Sequence, residues 1–413
     1  MYSGGDTRGN APVEIIQTIQ EGMGNTLGFV AVVVGLGAMF GAILEHSGGA
    51  QALARHLLAK SGKGKTSWAL VFTGFLVAIP VFFDVGFIIL VPIIYSLQRS
   101  TGKSLLLYGI PLLSGLAITH AFIPPTPGPV AVADIINADL GWVILMGFLV
   151  GIPTAVVAGP LFGKYIAKRI FVEAPALDED TDQSQVAPPS VTSIFLIIGL
   201  PIVLIVLNTV LNSDLVPDSA WLALMGEWMK LVGHPFTALI LANLVAWYFL
   251  GIRKGFSRVQ LLDITTKSLA PAGVIILLTG AGGAFKQVLT NTGAGAMLAE
   301  YFTEMGLGPL VFGFIVAALV RILQGSATVA MITAAGMTAP LLGDSYSPIQ
   351  LALTVISIAS GASILSHVND SGFWLVSKYL GLSETQTFRS WTVMTTLLAL
   401  TGFTVAGLIF MFV

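Results

Sequence analysis

Apolar runs of membrane-spanning length dominate the chain. A helix needs about 20 apolar residues to cross a bilayer. Six stretches supply them without interruption: 24–45, 141–166, 191–212, 233–250, 269–290 and 391–413. Four more are equally apolar but break in the middle: 66–97 at "IPVFFDVGF", 105–135 at "THAFIPPTPGPV", 309–343 at "RILQGSATVA" and 348–379 at "SHVNDSGF". Each half then holds about 10–17 residues, too few to span. The pattern predicts two re-entrant hairpins, 66–97 and 309–343, and two discontinuous helices, 105–135 and 348–379. Backbone left without helical partners inside a bilayer must be covered by protein or line a wet cavity.

The pattern also repeats. "GLGAMFGAILEHSGGAQALA" (35–54) aligns with "GAGGAFKQVLTNTGAGAMLA" (280–299), so that Gly35, Phe40, Leu44, Gly48 and Leu53 fall on Gly280, Phe285, Leu289, Gly293 and Leu298 at a constant offset of 245. In each half a broken hairpin follows (Asp84; Ser326). Next comes a broken span whose interruption opens on "TH" or "SH" (His120; His367), and then a span led by Trp142 or Trp391. Such a duplication predicts two related halves. The expected division is a polar to amphipathic segment (1–23), a first repeat (24–166), an acidic, Pro-rich linker (167–190), two scaffold spans (191–250) and a second repeat (251–413).

Composition sets the class. Hydrophobic residues make up 55% and charged residues 10%, with a mean hydropathy of +0.88. A soluble domain carries about 25% charged residues, so the fold class is an all-α polytopic membrane protein. No cleavable signal is visible in residues 1–23, which contain no apolar run. Fifteen of the 19 Lys and Arg fall in five loops: Arg55–Lys65, Arg99–Lys103, Lys164–Arg169, Arg253–Lys267 and Lys378–Arg389. Placing those loops in the cytoplasm makes the two hairpins enter from opposite faces. The halves are then inverted repeats, the linker is cytoplasmic, and residues 1–23 and the C-terminus lie on the outer side. Inverted repeats with discontinuous helices are a transporter architecture. A net charge of −2 implies no nucleic-acid partner. The absence of cysteine and the five scattered histidines leave no metal-site pattern, and no cofactor is expected.

The breaks carry the candidate chemistry. Asp84, Thr126, Ser326 and Asp370 or Ser371 each open a second half-helix, where a side-chain oxygen can cap free N–H groups. Pro127 suits a first helical position. Four converging helix N-termini would attract an anion, most simply a carboxylate. Asn369, Ser371 and His367 crowd the turn that holds Asp370. An Arg such as Arg321 inside a hairpin is by default a functional candidate, although the dipole at a helix C-terminus also favours a cation there. His120 and His367 can equally be core histidines bonded to carbonyls. Lys286 is placed to snorkel to the outer surface, and Gly280, Gly282 and Gly283 to permit close helix packing.

"FFDVGFIILVPIIY", "THAFIPPTPGPVAVA", "GAGGAFKQVL", "GSATVAMITAAG" and "SHVNDSGFWLVSKY" resemble the gluconate:proton symporter family of bacterial inner membranes, from about Ala11 to the C-terminus. The resemblance implies secondary uptake of sugar acids, gluconate above all, driven by the proton gradient. It also implies an elevator-type movement of the hairpin repeats against a fixed scaffold. Elevator carriers are commonly homodimers, but no interface signature is visible. The family usually carries two more spans ahead of the matching stretch, where this chain holds "MYSGGDTRGN" and the amphipathic "PVEIIQTIQEGMG". It often has His at the position of Thr126 and Glu at that of Asp84. It also includes D-serine carriers, so the exact ligand stays open; "VRILQGSATVA" with Arg321 resembles the gluconate branch.

The expected mechanism places a small carboxylate among the hairpin tips and breaks. Ser326, Thr328 and Thr126 with nearby N–H groups hold the carboxylate; Asn369, Asp370 and His120 bond its hydroxyls. Arg321, His367 and Ser371 complete the binding set. Asp84 or Asp370 carries the proton, and sodium stays open as an alternative coupling ion, since unwound carbonyls also coordinate it. Two rivals stand against a carrier. An intramembrane aspartyl-type hydrolase would pair Asp84 with Asp370, but no catalytic signature surrounds either. A channel would need a continuous polar pore, which the pattern lacks.

Overall fold

The computed structural model describes residues 12–413 apart from 62–64, 176–188, 215, 218, 295–296, 298–300, 302–303, 305 and 344. Residues 1–11 and most of the acidic linker therefore lie outside the described residues. Among the described residues every regular element is helical, and eight helical segments are long and apolar enough to cross a membrane.

Two long helices form one wall. α1 (Pro12–His46) begins well before the apolar run at 24, taking in the amphipathic "PVEIIQTIQEGMG". α11 (Arg258–Asn291) likewise starts ahead of its apolar run, at a Ser257/Gln260 capping box. The two run antiparallel: Gly22 meets Gly283 and Gln287, while Gly35 meets Leu269. A Cβ on Gly283 would lie 2.6 Å from the Gly22 carbonyl oxygen, so the glycines at 280–283 do permit close packing. Lys286 is half-buried, near enough to Asp134 for their charges to interact. One turn before Lys286 on the same face, a Cβ on Gly282 would come within 3.3 Å of Ile135.

α2 (Gly49–Ser61) leads to the short α3 (Thr66–Val77) and to α4 (Phe83–Thr101), whose 19 residues exceed the half-length expected of the first hairpin, and then to α5 (Leu106–Phe122) and α6 (Pro127–Ile135). α3 lies parallel to α5 with backbones in contact. Ser67 donates to the Leu107 carbonyl (3.0 Å), Thr119 donates to the Phe75 carbonyl (2.9 Å), and Gly115 admits the Val71 carbonyl where a Cβ would stand 2.1 Å away. The arrangement recurs later in the chain. α12 (Pro309–Gln324) turns at the tip into α13 (Ala327–Thr338), and α14 (Pro348–Ser363) breaks before α15 (Ser371–Leu380). Here Ser357 of α14 donates to Leu310 of α12 (2.7 Å), and Gly361 admits the Phe314 carbonyl.

The remaining helices surround these. They are α7 (Leu140–Ala167), α8 (Val191–Leu211), the short α9 (Ala220–Val232), α10 (Pro235–Lys254) and α16 (Glu384–Phe410). Asp139 caps α7, accepting from Gly141 N (2.9 Å) and Trp142 N (3.0 Å), and it also accepts from Thr209 of α8 (2.6 Å). The deepest burial belongs to α5 and α6, almost all of whose residues are enclosed, and to the stretch Ala352–Ala362 of α14. α8, α10 and α11 instead expose Leu196, Val203, Leu244, Val274 and Leu277, side chains that suit a bilayer rather than water.

Candidate functional site

The first turns of α4, α6, α13 and α15 converge on one cavity of about 450 Å³, through Asp84, Gly128, Ser326 with Thr328, and Ser371 with Gly372 respectively. Phe83, Met331, Leu375, Leu398 and Trp391 supply an apolar wall, with the Phe83 and Trp391 rings 5.5 Å apart. Eight of the ten residues singled out in the sequence line it: Asp84, His120, Arg321, Ser326, Thr328, Asn369, Asp370 and Ser371.

Thr126 and His367 do not line it. Thr126 is buried and turns its hydroxyl back to the Ile123 carbonyl (2.6 Å), one of those the end of α5 leaves unpaired, and it borders α1 beside Gly37 instead. His367 donates from Nε2 to the Ile322 carbonyl (3.0 Å), tying the second break to the end of α12.

Of the four expected caps, two form. Ser326 accepts from Val329 N (3.3 Å) and Asp370 from Gly372 N (3.0 Å). Thr126 occupies the cap position without capping, and the cap position of α4 lies two residues earlier than expected. Phe82 then stands at its cap position, and Asp84 falls inside the first turn, where its carboxylate is exposed to the cavity. A carboxylate there still meets the positive end of the helix dipole.

The most connected group is Asp370. Its Oδ2 accepts from Arg321 Nη2 and from Ser366 Oγ, while Oδ1 holds the α15 cap. Arg321 is 5% exposed, donates from Nη1 to the Gly325 carbonyl, and keeps its Nε buried without a partner. Ser366 is itself anchored. Trp391 Nε1 donates to its hydroxyl (2.6 Å), and its backbone N–H donates to Thr395 Oγ1 (3.2 Å). Sequence reasoning missed Ser366, Trp391 and Thr395 as site residues. The one available signal was Ser366 standing four residues before Asp370 in the same polar break.

The two carboxylates differ in surroundings. Asp84 faces His120 closely enough for their charges to interact, and His120 Nδ1 is buried without a hydrogen-bond partner. Asp370 is spoken for by Arg321. The tip of the second hairpin is bound to the second break at further points, with Asn369 Nδ2 donating to the Ile322 carbonyl (3.0 Å). Gly325, at φ +86°, sits so close to Asn369 that only a residue lacking Cβ fits. Among the described residues no group of three His, Asp or Glu could hold a metal ion.

This arrangement has the parts of an anion site: helix N-termini, hydroxyls, an enclosed guanidinium and a carboxylate that can take a proton.

Comparison with known proteins agrees. The family model described as GntP family permease matches residues 3–413. The gluconate permease of Pseudomonas aeruginosa is 40% identical over 95% of this chain and 87% of its own length. The low-affinity gluconate transporter of Escherichia coli K12 is 41% identical over 94% and 86%, and the Gnt-II system L-idonate transporter of the same organism 39% over 94% and 87%. Among solved structures, the Alcanivorax borkumensis YdaH transporter superposes with a TM-score of 0.70 at 15% identity, covering 98% of this chain and 90% of that one. Neisseria gonorrhoeae MtrF gives 0.67 at 16%, covering 98% and 88%. Those two likenesses concern the fold. The sequence relationship extends over nearly the whole chain, and by it this multi-pass membrane protein is a transporter, not an enzyme, and belongs to the GntP permease family.

Proposed function

We propose that the protein imports gluconate or a closely related sugar acid into bacteria across the inner membrane, by symport with protons. The observation that carries the reading is the single cavity on which four helix N-termini and Arg321 converge, in a chain whose relatives are named for gluconate and L-idonate. Ser326, Thr328 and adjacent N–H groups receive the carboxylate. Asn369, Ser371, Asp84 and His120 face the hydroxyl-bearing remainder, with the free His120 Nδ1 available to one hydroxyl. Asp84 or Asp370 carries the proton.

The moving body in this proposal is α3–α6 with α12–α15, and the scaffold is α1, α7–α11 and α16. Support comes from the offset of 245 between the halves and from the parallel glycine contacts of α3 on α5 and α12 on α14. In this reading the end of α4 and the end of α15 are cytoplasmic, which the basic residues of the adjoining loops support.

The test is uptake of labelled gluconate into liposomes carrying the purified chain, with and without an inward proton gradient. Saturable uptake that requires the gradient, and that unlabelled gluconate suppresses, is the expected result. Suppression by L-idonate would widen the substrate class. Suppression by D-serine but not by gluconate would replace it, and uptake unaffected by the gradient would remove the proton.

A further inference from the structure

We infer that proton and substrate are coupled by an exchange of partners at Arg321: the proton goes to Asp370, and the guanidinium this releases binds the substrate carboxylate. The inference rests on the proposed carrier function and specifies how that site couples.

Geometry singles out Asp370. It forms the ion pair with the enclosed Arg321, with side-chain exposures of 6% for Arg321 and 12% for Asp370. The other titratable groups around it are placed differently. Asp84, from α4, is open to the cavity and makes no ion pair with Arg321; His120, from α5, interacts with Asp84; His367 is turned to the Ile322 carbonyl. Protonating Asp84 would leave Arg321 engaged, whereas protonating Asp370 frees it.

The step balances. A proton from water adds to Asp370 Oδ2, and the contact from Arg321 Nη2 is given up. The same N–H then donates to a carboxylate oxygen of the substrate. Ser366 donates to Oδ2 in the empty site, and its hydroxyl keeps a lone pair beside the one that receives Trp391 Nε1–H. It can therefore turn and accept from the new Asp370 O–H. Arg321 stays anchored through Nη1 to the Gly325 carbonyl, so its free edge remains at the hairpin tip.

Charge explains why neither ligand travels alone. Arg321 with ionised Asp370 has no net charge. Arg321 with protonated Asp370 and a bound carboxylate again has none. Substrate without the proton leaves the group negative, and the proton without substrate leaves it positive. An uncompensated charge in an enclosed intramembrane site is strongly penalised, so only the empty and the doubly loaded forms cross readily.

Asp370→Asn tests this in the full chain. Asn is neutral in every state, so the loaded site stays balanced while the empty one keeps a bare guanidinium. The readout is proton-driven net accumulation relative to the exchange of labelled external for unlabelled internal gluconate measured in the same variant. Proton-driven net accumulation should fall by about tenfold or more, since one unpaired buried charge outweighs a factor of ten. Accumulation that survives in Asp370→Asn overturns the inference. Should that variant not fold, the wild-type protein decides by calorimetry of gluconate binding in two buffers of different ionisation heat. Uptake of about one proton per gluconate supports partner exchange; binding with no proton taken up overturns it. Wild-type liposomes that neither exchange nor accumulate gluconate would refute the carrier reading itself, and this inference would fall with it.

Discussion

Gly325 offers a sharp test of how the second hairpin tip meets the second break. Replacing it with alanine has two separable consequences. The backbone there has φ +86°, a conformation that costs a side-chain-bearing residue roughly 1–2 kcal/mol. The new Cβ would also stand 2.3 Å from the Asn369 carbonyl oxygen and 2.8 Å from Asn369 Cγ, where real contacts stay beyond 3.0 Å. Overpacking of this kind adds about 1–3 kcal/mol. Relief requires Asn369, and Asp370 beside it, to move by about 1 Å, a misplacement that can cost on the order of 10²-fold in rate. Gly102→Ala is the control, because Gly102 has φ +66° with nothing within 4 Å of the added Cβ. Thermal stability in detergent and initial gluconate uptake in liposomes are the two readouts. Gly102→Ala should lose stability alone, whereas Gly325→Ala should lose more stability and most of its uptake. Equal stability losses for the two, or wild-type uptake by Gly325→Ala, would refute the reasoning.

Three further outcomes follow from contacts elsewhere. Arg321→Ala leaves Asp370 enclosed without its cation and should destabilise the protein by about 3–5 kcal/mol, seen as an earlier loss of monodisperse protein on heating. Gly115→Val cannot be accommodated against the Val71 carbonyl, 2.1 Å from a Cβ there. Folded protein should be missing from membranes, while Gly273→Ala, with open space around it, should accumulate normally. Asp139→Ala removes the cap of α7 and the acceptor for Thr209. A stability loss of about 0.5–2 kcal/mol is expected, with uptake in liposomes retained because Asp139 does not border the main cavity.

The neighbourhood of Asp370 shows where sequence reasoning stopped. The cluster at 366–371 was visible as polar residues in an apolar segment, and Arg321 as a charge where none is cheap. Their pairing was not visible, because 49 positions separate them and the contact exists only once α12 lies beside the second break. The same limit explains the caps. Ser326 and Asp370 cap as their positions suggest, but the hydroxyl of Thr126 is claimed by the Ile123 carbonyl, and α4 starts a residue ahead of Asp84. The nearness of Lys286 to Asp134 was hidden for a related reason, since Asp134 belongs to a distant part of the chain.

By itself the sequence determined that the chain is a polytopic membrane protein of helices, some of them interrupted, with polar and helix-capping residues at the interruptions. Those conclusions depend on local averages. A run of about 20 apolar residues enters the bilayer whatever its neighbours do, and a break with capping residues declares itself within a few positions. Only the tertiary structure decided which breaks share a cavity, that Asp370 rather than Asp84 holds Arg321, and that Ser366, Trp391 and Thr395 support that pair. The direction of a side chain at a break is set by the helices packed around it. No local pattern encodes which helices those will be.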